Sequence, residues 1–189
     1  MKKIVIFASG NGTNAENIIK YFDKDPKTGV AAIFTNNAKA GVIKRAEKLS
    51  VPVYVFNREM LYESNRVIEK LKTYNPALIV LAGFLWKIPA RLIKEFSGKI
   101  INIHPALLPK FGGKGMYGMY VHEKVVTSGE KESGITIHWV DENYDSGNII
   151  ARFKVQLSEN ETPNTLAEKI HSLEYTHYPK VIENVLKKI

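Results

Sequence analysis

Residues 4–15 read Ile4-Val5-Ile6-Phe7-Ala8-Ser9-Gly10-Asn11-Gly12-Thr13-Asn14-Ala15, and this stretch decides the fold class. Its five leading apolar residues predict a buried strand, and the small residues after them predict a tight turn that opens a helix. The backbone amides of such a turn can face an anion, and the dipole of the following helix favours negative charge. We therefore predict a phosphate-ester site at Gly10–Asn14, with a turn that needs glycine only for its shape as the alternative.

The spacing of Gly10, Gly12 and Ala15 also fits loosely the Gly-x-Gly-x-x-Ala pattern of dinucleotide-binding loops. A dinucleotide site needs an acidic residue near the end of the second strand to bind the ribose. The second apolar run ends instead in Thr35-Asn36-Asn37. The sequence therefore argues against NAD as a cofactor.

Outward from this stretch, short apolar runs alternate with segments of helical periodicity. The predicted strands are 4–8, 30–34, 51–56, 77–82 and 99–103, and the predicted helices are 14–21, 38–49 and 58–74. Two more strands are predicted at 134–140 and 148–157, and a long helix or broken pair at 162–189, interrupted by Pro179. Runs that are apolar on both faces are typical of a sheet covered by helices on both sides. The pattern predicts an α/β fold with a doubly wound, mostly parallel sheet of about seven strands.

Length and composition limit the class of protein. The chain of 189 residues is 44% hydrophobic, which excludes wholesale disorder and predicts one domain, 1–189, with a phosphate-binding front half over 1–100 and a back half over 101–189. The absence of cysteine excludes disulfides, thiolate metal sites and a cysteine nucleophile. No apolar run is long enough for a membrane span, and the first is too short for a signal peptide, so we expect a cytoplasmic protein. The net charge of +8 favours anionic ligands, but the basic residues are spread along the chain without the aromatic clustering of nucleic-acid sites.

Asn102 and His104 close the fifth predicted strand, which ends at Pro105. Side chains two apart in a strand share a face, so the amide and the imidazole should point the same way. Ligands of doubly wound sheets bind at the carboxyl ends of the strands. The pair therefore offers a donor for developing negative charge and a group that can carry a proton, although two purely structural side chains are the alternative.

Two loops of the back half carry weaker signals. The loop 141–147 holds three carboxylates, of which one could orient a histidine, but a solvated acidic turn is the alternative. The glycine-rich, basic stretch Phe111–Gly115 fits either a mobile lid or a long surface loop. His122-Glu123 lacks the partner histidine of a helical zinc site, and neither a serine elbow nor a phosphate-loop Lys-Ser/Thr motif is present, so we predict no metal and no covalent intermediate.

Residues 101–109 read Ile101-Asn102-Ile103-His104-Pro105-Ala106-Leu107-Leu108-Pro109, and they closely resemble the signature of the folate-dependent formyltransferases. The similarity extends over essentially the whole chain. It includes the loop 9–14, the segment 81–84, Asp145-Ser146-Gly147, and Glu174 ahead of Tyr178-Pro179. The Asn-x-His strand end followed by Leu-Leu-Pro is specific, and four further segments in order make chance agreement improbable. The resemblance implies the Rossmann-like fold of that family.

The resemblance also implies an activity. The formyl group of 10-formyltetrahydrofolate would pass to the amine of 5-phosphoribosyl-glycinamide in purine biosynthesis, by direct attack through a tetrahedral intermediate and without a metal. Asn102 and His104 would bind the formyl oxygen as it becomes an oxyanion. Asp145 would pair with His104 and help to move the proton, and a cationic His104 would favour the oxyanion.

The binding residues follow from the same resemblance. The phosphoribosyl substrate would be held by Gly10, Asn11, Gly12, Thr13, Asn14, His171 and Glu174. The folate would lie against Arg58, Leu85, Trp86, Lys87, Ile88, Asn102, Val140 and Asp141. The chain departs from the family pattern at Trp86, where relatives often have Arg, at His171, where they often have Lys or Gln, and in a longer loop at 110–121.

Two relatives in the family share the catalytic strand. Methionyl-tRNA formyltransferase normally carries an extra C-terminal domain, and formyltetrahydrofolate deformylase an N-terminal regulatory domain; a chain of 189 residues has room for neither. A non-catalytic phosphosugar-binding protein is the remaining alternative. We expect small-molecule substrates, no nucleic-acid or membrane partner, and a monomer or homodimer.

Overall fold

The computed structural model describes residues 1–189 and contains one sheet of seven strands. The strands are β1 (Lys2–Phe7), β2 (Thr28–Thr35), β3 (Val53–Val55), β4 (Leu78–Leu81), β5 (Ile100–His104), β6 (Glu132–Trp139) and β7 (Ile149–Gln156). The helices are α1 (Thr13–Phe22), α2 (Gly41–Lys48), α3 (Arg58–Tyr62), α4 (Arg66–Tyr74), α5 (Ala90–Glu95), α6 (Met119–Thr127) and α7 (Pro163–Lys188). The strand order is β3-β2-β1-β4-β5-β6-β7, so the predicted α/β fold with a mostly parallel seven-stranded sheet is confirmed.

Residues 1–101 and 183–189 form one compact unit. In it β1 pairs in parallel with β2 and β4, and β2 pairs in parallel with β3. Residues 4–7 of β1 and all of β4 are buried on both faces, which explains the short unbroken apolar runs there. Lys2 ties β1 to the end of the chain, because its ammonium group donates to the carbonyls of Leu186 and Ile189.

Residues 102–182 form the second compact unit. Here β6 and β7 pair in antiparallel fashion, and Gly134 of β6 lies so close to the Phe153 carbonyl that a Cβ atom would stand 2.0 Å from it. The Thr136 hydroxyl donates to Ala106 O at 2.7 Å and accepts from Leu108 N at 3.0 Å. β6 therefore positions the segment that follows the Asn102–His104 strand end.

The predicted helix 58–74 is wrong, because the chain forms two helices there, α3 and α4. The Asn57 side chain accepts from Met60 N at 2.9 Å and begins α3, and the amides of Glu63 and Ser64 bond back to the Glu59 carbonyl at its end. Leu61, Val67, Ile68 and Leu71 are all buried, so the apolar pattern continues across the break. The pattern records which residues face the core and is insensitive to a turn between two short helices.

Three further elements go beyond the sequence prediction. Helices α5 and α6 have no counterpart among the predicted helices, and α6 begins inside the predicted loop 110–121. They span six and nine residues, too few for apolar periodicity to stand out. The C-terminal segment is one helix that continues through Pro179 and not a broken pair.

The division into compact units falls between residues 101 and 102, one residue from the predicted boundary, but 183–189 belong with the first unit. The assignment of 1–189 to a single domain stays a prediction. No helix has both the length and the apolar character that crossing a membrane requires.

Candidate functional site

The loop between β1 and α1 leaves the start of α1 open for a ligand. Gly12 precedes the helix in the left-handed region, with φ 78° and ψ 24°, and as a glycine it has no side chain that could cap the first turn. The first amides of a helix have no partner within it, so an anion can accept from them. Ser9 fixes the beginning of the loop, because its amide donates to Gly83 O at 3.0 Å and its hydroxyl accepts from Leu85 N at 2.9 Å.

Helix α2 shapes the same loop from its other side. The Val42 amide donates to Gly10 O at 3.1 Å, and a Cβ atom on Gly12 would stand 2.4 Å from Val42 Cγ2. Arg45 Nε donates to Asn11 O at 2.8 Å, and the guanidinium is paired with Glu16 of α1. The structure therefore brings Gly10–Asn14 together in one constrained turn; sequence reasoning did not include Arg45 or Val42.

The candidate folate residues of the first unit form an aromatic cluster. The Arg58 guanidinium lies over the rings of Tyr62 and Trp86, at 5.1 and 5.6 Å from their centroids. The Tyr62 hydroxyl donates to Lys87 O at 2.8 Å and ties α3 to the segment 85–88. Leu85 is exposed and Ile88 is buried. Arg58, Trp86 and Lys87 thus lie together, and the flat rings beside a cation suit a planar, anionic ligand.

Asn102, His104 and Asp145 meet within the second unit. Asp145 Oδ2 lies 3.6 Å from His104 Nδ1 and accepts from Gly113 N at 3.0 Å. Its Oδ1 lies 3.5 Å from Asn102 Nδ2. The Asp145 backbone is in the left-handed region, with φ 51°, a conformation that Asp tolerates better than most residues and that often marks functional positions.

Burial sets the protonation of this cluster. It lowers the pKa of His104, and the Asp145 carboxylate and the Phe111 carbonyl oppose the shift without cancelling it. In the free protein His104 is therefore neutral near pH 7, and it is not the cation that would favour the oxyanion. Burial acts to raise the pKa of Asp145, but the polar groups around the carboxylate, among them His104 and the Gly113 amide, outweigh it, so this pKa is lowered and the carboxyl stays ionised.

The three carboxylates of the loop 141–147 have different surroundings. Asp141 accepts from Asn143 N at 2.9 Å and from the Ser146 hydroxyl, so it holds the turn together. Glu142 is exposed, and Asp145 alone turns inward to the histidines. The alternative of a solvated acidic turn thus describes Glu142 and not Asp145. Val140 and Asp141, expected to contact the folate, lie at the junction between β6 and this loop.

The two candidate residues of α7 lie one turn apart. His171 is exposed and its ring stacks on Tyr175 at 6.1 Å, whereas Glu174 is buried. His122 of α6 is also buried, and its Nδ1 atom makes no hydrogen bond. Burial, with lesser effects of His171 and His104, lowers the pKa of His122 to about 4.

Sequence reasoning missed two parts of the Asn102 cluster. His138 of β6 lies 3.2 Å from Asn102 Nδ2, and the backbone of the glycine-rich stretch supplies Phe111 O to His104 Nε2 at 2.7 Å and Gly113 N to Asp145. The signal for His138 was a histidine alternating with the apolar residues Ile135 and Ile137 in a buried strand. The contacts of Phe111 O and Gly113 N could not be predicted, because any residue type has these backbone groups. No group of three or more His, Cys, Asp or Glu side chains is arranged to hold a metal ion.

Comparisons with known proteins identify the family. The family model described as "Formyl transferase" matches residues 2–182. Phosphoribosylglycinamide formyltransferase of Bacillus subtilis is 38% identical over 192 residues, covering 98% of this chain and 95% of that protein. The chloroplastic enzyme of that name from Arabidopsis thaliana is also 38% identical, but the chain spans only 64% of its length. The crystal structure of phosphoribosylglycinamide formyltransferase from Bacillus halodurans superposes with a TM-score of 0.88 at 36% identity, covering 99% of this chain and 96% of that one. The chain therefore belongs to the formyl transferase family.

Proposed function

We propose that this chain is a phosphoribosylglycinamide formyltransferase that takes its formyl group from 10-formyltetrahydrofolate, a substrate consumed in the reaction. The observation that carries the proposal is the cluster of Asn102, His104 and Asp145 in a chain that a relative of that name matches over 98% of its length. The cluster offers an amide donor, a neutral imidazole and an ionised carboxylate. These are the groups that acyl transfer to an amine requires.

The reaction forms one C–N bond and breaks another. The amine of phosphoribosyl-glycinamide bonds to the formyl carbon, the carbonyl electron pair moves to oxygen, and the intermediate expels the folate nitrogen as the oxygen re-forms its double bond. The amine loses a proton, and the leaving nitrogen gains one. Asn102 would donate an N–H to the oxygen while it is negatively charged.

His104 would carry the proton. A neutral ring whose Nε2–H donates to Phe111 O has its lone pair on Nδ1, 3.6 Å from Asp145 Oδ2. A proton received at Nδ1 would therefore be held by the adjacent carboxylate and then passed to the leaving nitrogen. Donation from His104 to the formyl oxygen, the role that the family resemblance implies, would first require its Nε2–H to leave Phe111 O. That exchange conserves the number of hydrogen bonds.

The binding roles are assigned as follows. Gly12, Thr13 and Asn14 would hold the substrate phosphate through amides of the uncapped α1 terminus, with Gly10 and Asn11 shaping the turn. His171 and Glu174 would contact the same substrate, Glu174 through the ribose or glycinamide portion. Arg58 and Leu85–Ile88 would contact the folate, as would Val140 and Asp141. We expect a monomer or homodimer acting on small molecules in the cytoplasm, without nucleic acid, metal or NAD.

A formyl-transfer assay tests the proposal. The purified protein should convert 10-formyltetrahydrofolate and phosphoribosyl-glycinamide into tetrahydrofolate and the formylated ribonucleotide. His104→Ala should lose most of the turnover. His177→Ala should keep it, because His177 stacks on Phe153 at 3.7 Å and belongs to neither candidate cluster.

Other outcomes would overturn the assignment. Release of formate to water at the same rate with and without the ribonucleotide would indicate a deformylase. Transfer to charged tRNA would indicate the other relative. Binding of the ribonucleotide without any turnover would indicate a phosphosugar-binding protein.

A further inference from the structure

His138 occupies a position in β6 from which it touches the amide of Asn102. Its side chain is only 3% exposed. Nε2 lies 3.2 Å from Asn102 Nδ2 and 3.6 Å from Asp145 Oδ1, and Nδ1 lies 2.8 Å from Trp139 O. Both nitrogens of this buried imidazole have a partner, so the partners determine where its proton lies.

The contact with Trp139 determines the tautomer of His138. A backbone carbonyl can only accept, so Nδ1 carries the hydrogen and donates to Trp139 O. In the neutral ring Nε2 then has a lone pair and can only accept. Asn102 Nδ2, at 3.2 Å, is within donating distance, whereas Asp145 Oδ1 at 3.6 Å is beyond it. His138 therefore accepts from the Asn102 amide.

This hydrogen bond determines whether the N–H₂ group or the carbonyl oxygen of the Asn102 side chain lies next to His138. The last torsion of an asparagine side chain is broad and roughly twofold, so rotation by half a turn exchanges its N–H₂ group and its carbonyl at little cost. The lone pair of His138 binds the N–H₂ end and repels the carbonyl end. One N–H is then used by His138. The second, 3.5 Å from Asp145 Oδ1, is only weakly held and stays available as a donor.

We propose that His138 is a positioning residue, whose Nε2 lone pair holds the Asn102 amide with its N–H₂ group toward the reacting centre. The inference rests on the proposed function, in which Asn102 donates to the oxyanion. Without His138 the amide would also populate the rotated state. There its carbonyl would face the developing negative charge, so His138 acts on turnover through Asn102 alone.

Steady-state kinetics of single and double variants test this role. His138→Leu removes the acceptor, and His138→Gln restores one at the end of a flexible side chain. We expect kcat to fall about 10- to 100-fold in His138→Leu, less than or comparable to the loss of an oxyanion donor, with KM for both substrates nearly unchanged. His138→Gln should recover part of the loss. In an Asn102→Ala background, His138→Leu should cost almost nothing further.

The outcomes separate positioning from packing. A fall in kcat of equal size with and without Asn102 would overturn the proposal, as would full turnover in His138→Leu. If His138→Leu fails to fold, the same comparison can be made with His138→Gln, measured alone and in the Asn102→Ala background. His177→Ala is the matched control, since it removes a histidine of the same unit that does not touch Asn102.

A second readout does not depend on activity. The side-chain amide proton of Asn102 bound to an imidazole lone pair should resonate downfield of its geminal partner, with both signals identified by their absence in Asn102→Ala. The shift should disappear in His138→Leu and persist in His177→Ala; its persistence in His138→Leu would overturn the proposal. If the wild-type protein lacked formyl transfer, the proposed function would fail, and the inference about turnover would fail with it. An active wild type with an equally active His138→Leu would defeat the inference alone.

Discussion

Arg45 of α2 donates from Nε to the backbone carbonyl of Asn11 at 2.8 Å and from Nη2 to Oδ1 of the same residue at 3.2 Å. Glu16 of α1 pairs with the guanidinium, and Lys20 pairs with Glu16 at 2.6 Å. A side chain outside the loop thus sets the course of the turn that leads into α1. Because the proposed phosphate site consists of backbone amides, its geometry depends on this contact.

Replacement of Arg45 by alanine should weaken binding of phosphoribosyl-glycinamide about fivefold, because the loss of about 1 kcal/mol of hydrogen bonding frees Asn11 to move. The affinity for folate should not change. Calorimetric titration of each ligand measures both. Lys44→Ala removes an exposed positive charge from the same helix and is the control. If both variants lost affinity equally, general attraction by the positive charge of α2 would explain the effect and the contact with Asn11 would not.

Gly12→Ala should lower the free energy of unfolding by roughly 1–3 kcal/mol, because Gly12 has φ +78° and an added Cβ would meet Val42 at 2.4 Å. An added side chain at Gly12 would therefore displace the loop from α2. Gly10→Ala is the matched control, since nothing lies within 4 Å of a Cβ there. Urea unfolding curves should separate the two variants; equal stability would contradict the packing argument.

Asp145→Asn should lower the pKa of His104 further. Burial already lowers it, and the Asp145 carboxylate opposes that shift, so removal of the negative charge leaves burial less opposed. The pH at which the His104 ring titrates, followed by nuclear magnetic resonance, should move down, and turnover should fall because the proton taken up at Nδ1 loses its counter-charge. Glu142→Gln, an exposed carboxylate in the same loop, should leave the titration unchanged. A His104 pKa that stayed the same in Asp145→Asn would show that the two groups do not interact.

His122 should make the protein less stable in acid. Its pKa in the folded protein is about 4, below the ordinary value of about 6.5, so the unfolded chain binds this proton more readily. The free energy of unfolding should therefore fall as the pH decreases from about 6.5 to about 4, by up to about 3 kcal/mol from this residue. In His122→Asn the fall over that pH range should be smaller, as measured by urea unfolding at several pH values. Parallel curves for the two proteins would exclude His122 as the source.

The positions of the strands along the chain and the first turn could be predicted because their signals are local. Residues 4–7 of β1 and all of β4 are buried inside the sheet, so each shows as a short unbroken apolar run. The break between α3 and α4 could not be predicted in this way. Leu61 and Val67 are buried on either side of it, and a periodicity that reports burial alone does not reveal a turn between them.

The candidate site also has one part that the sequence predicts and one part that it does not. Asn102 and His104 share a face because the strand has a period of two, which needs no knowledge of the rest of the chain. Of the three carboxylates at 141–147, sequence spacing could not select the one that turns inward. The family resemblance named Asp145, and the structure places its oxygens 3.5 Å from Asn102 and 3.6 Å from His104. The left-handed backbone of Asp145 could not be predicted from the sequence, because Asp tolerates this conformation but does not require it.

The sequence by itself determined the α/β class, the turn at Gly10–Asn14 and the Asn102–His104 pair, since each depends on residues close together in the chain. The tertiary structure alone decided the partners of that pair. His138 is 36 residues from Asn102, and Asp145 is 43 residues from it. They reach it because β6 and β7 pair, with a shift of register between Ile137 and His138, and because the loop between these strands brings Asp145 to the Asn102 side chain. Burial in that arrangement lowers the pKa of His104 below its ordinary value, and the Trp139 carbonyl, by binding Nδ1 of His138, turns the lone pair of that ring toward the Asn102 amide.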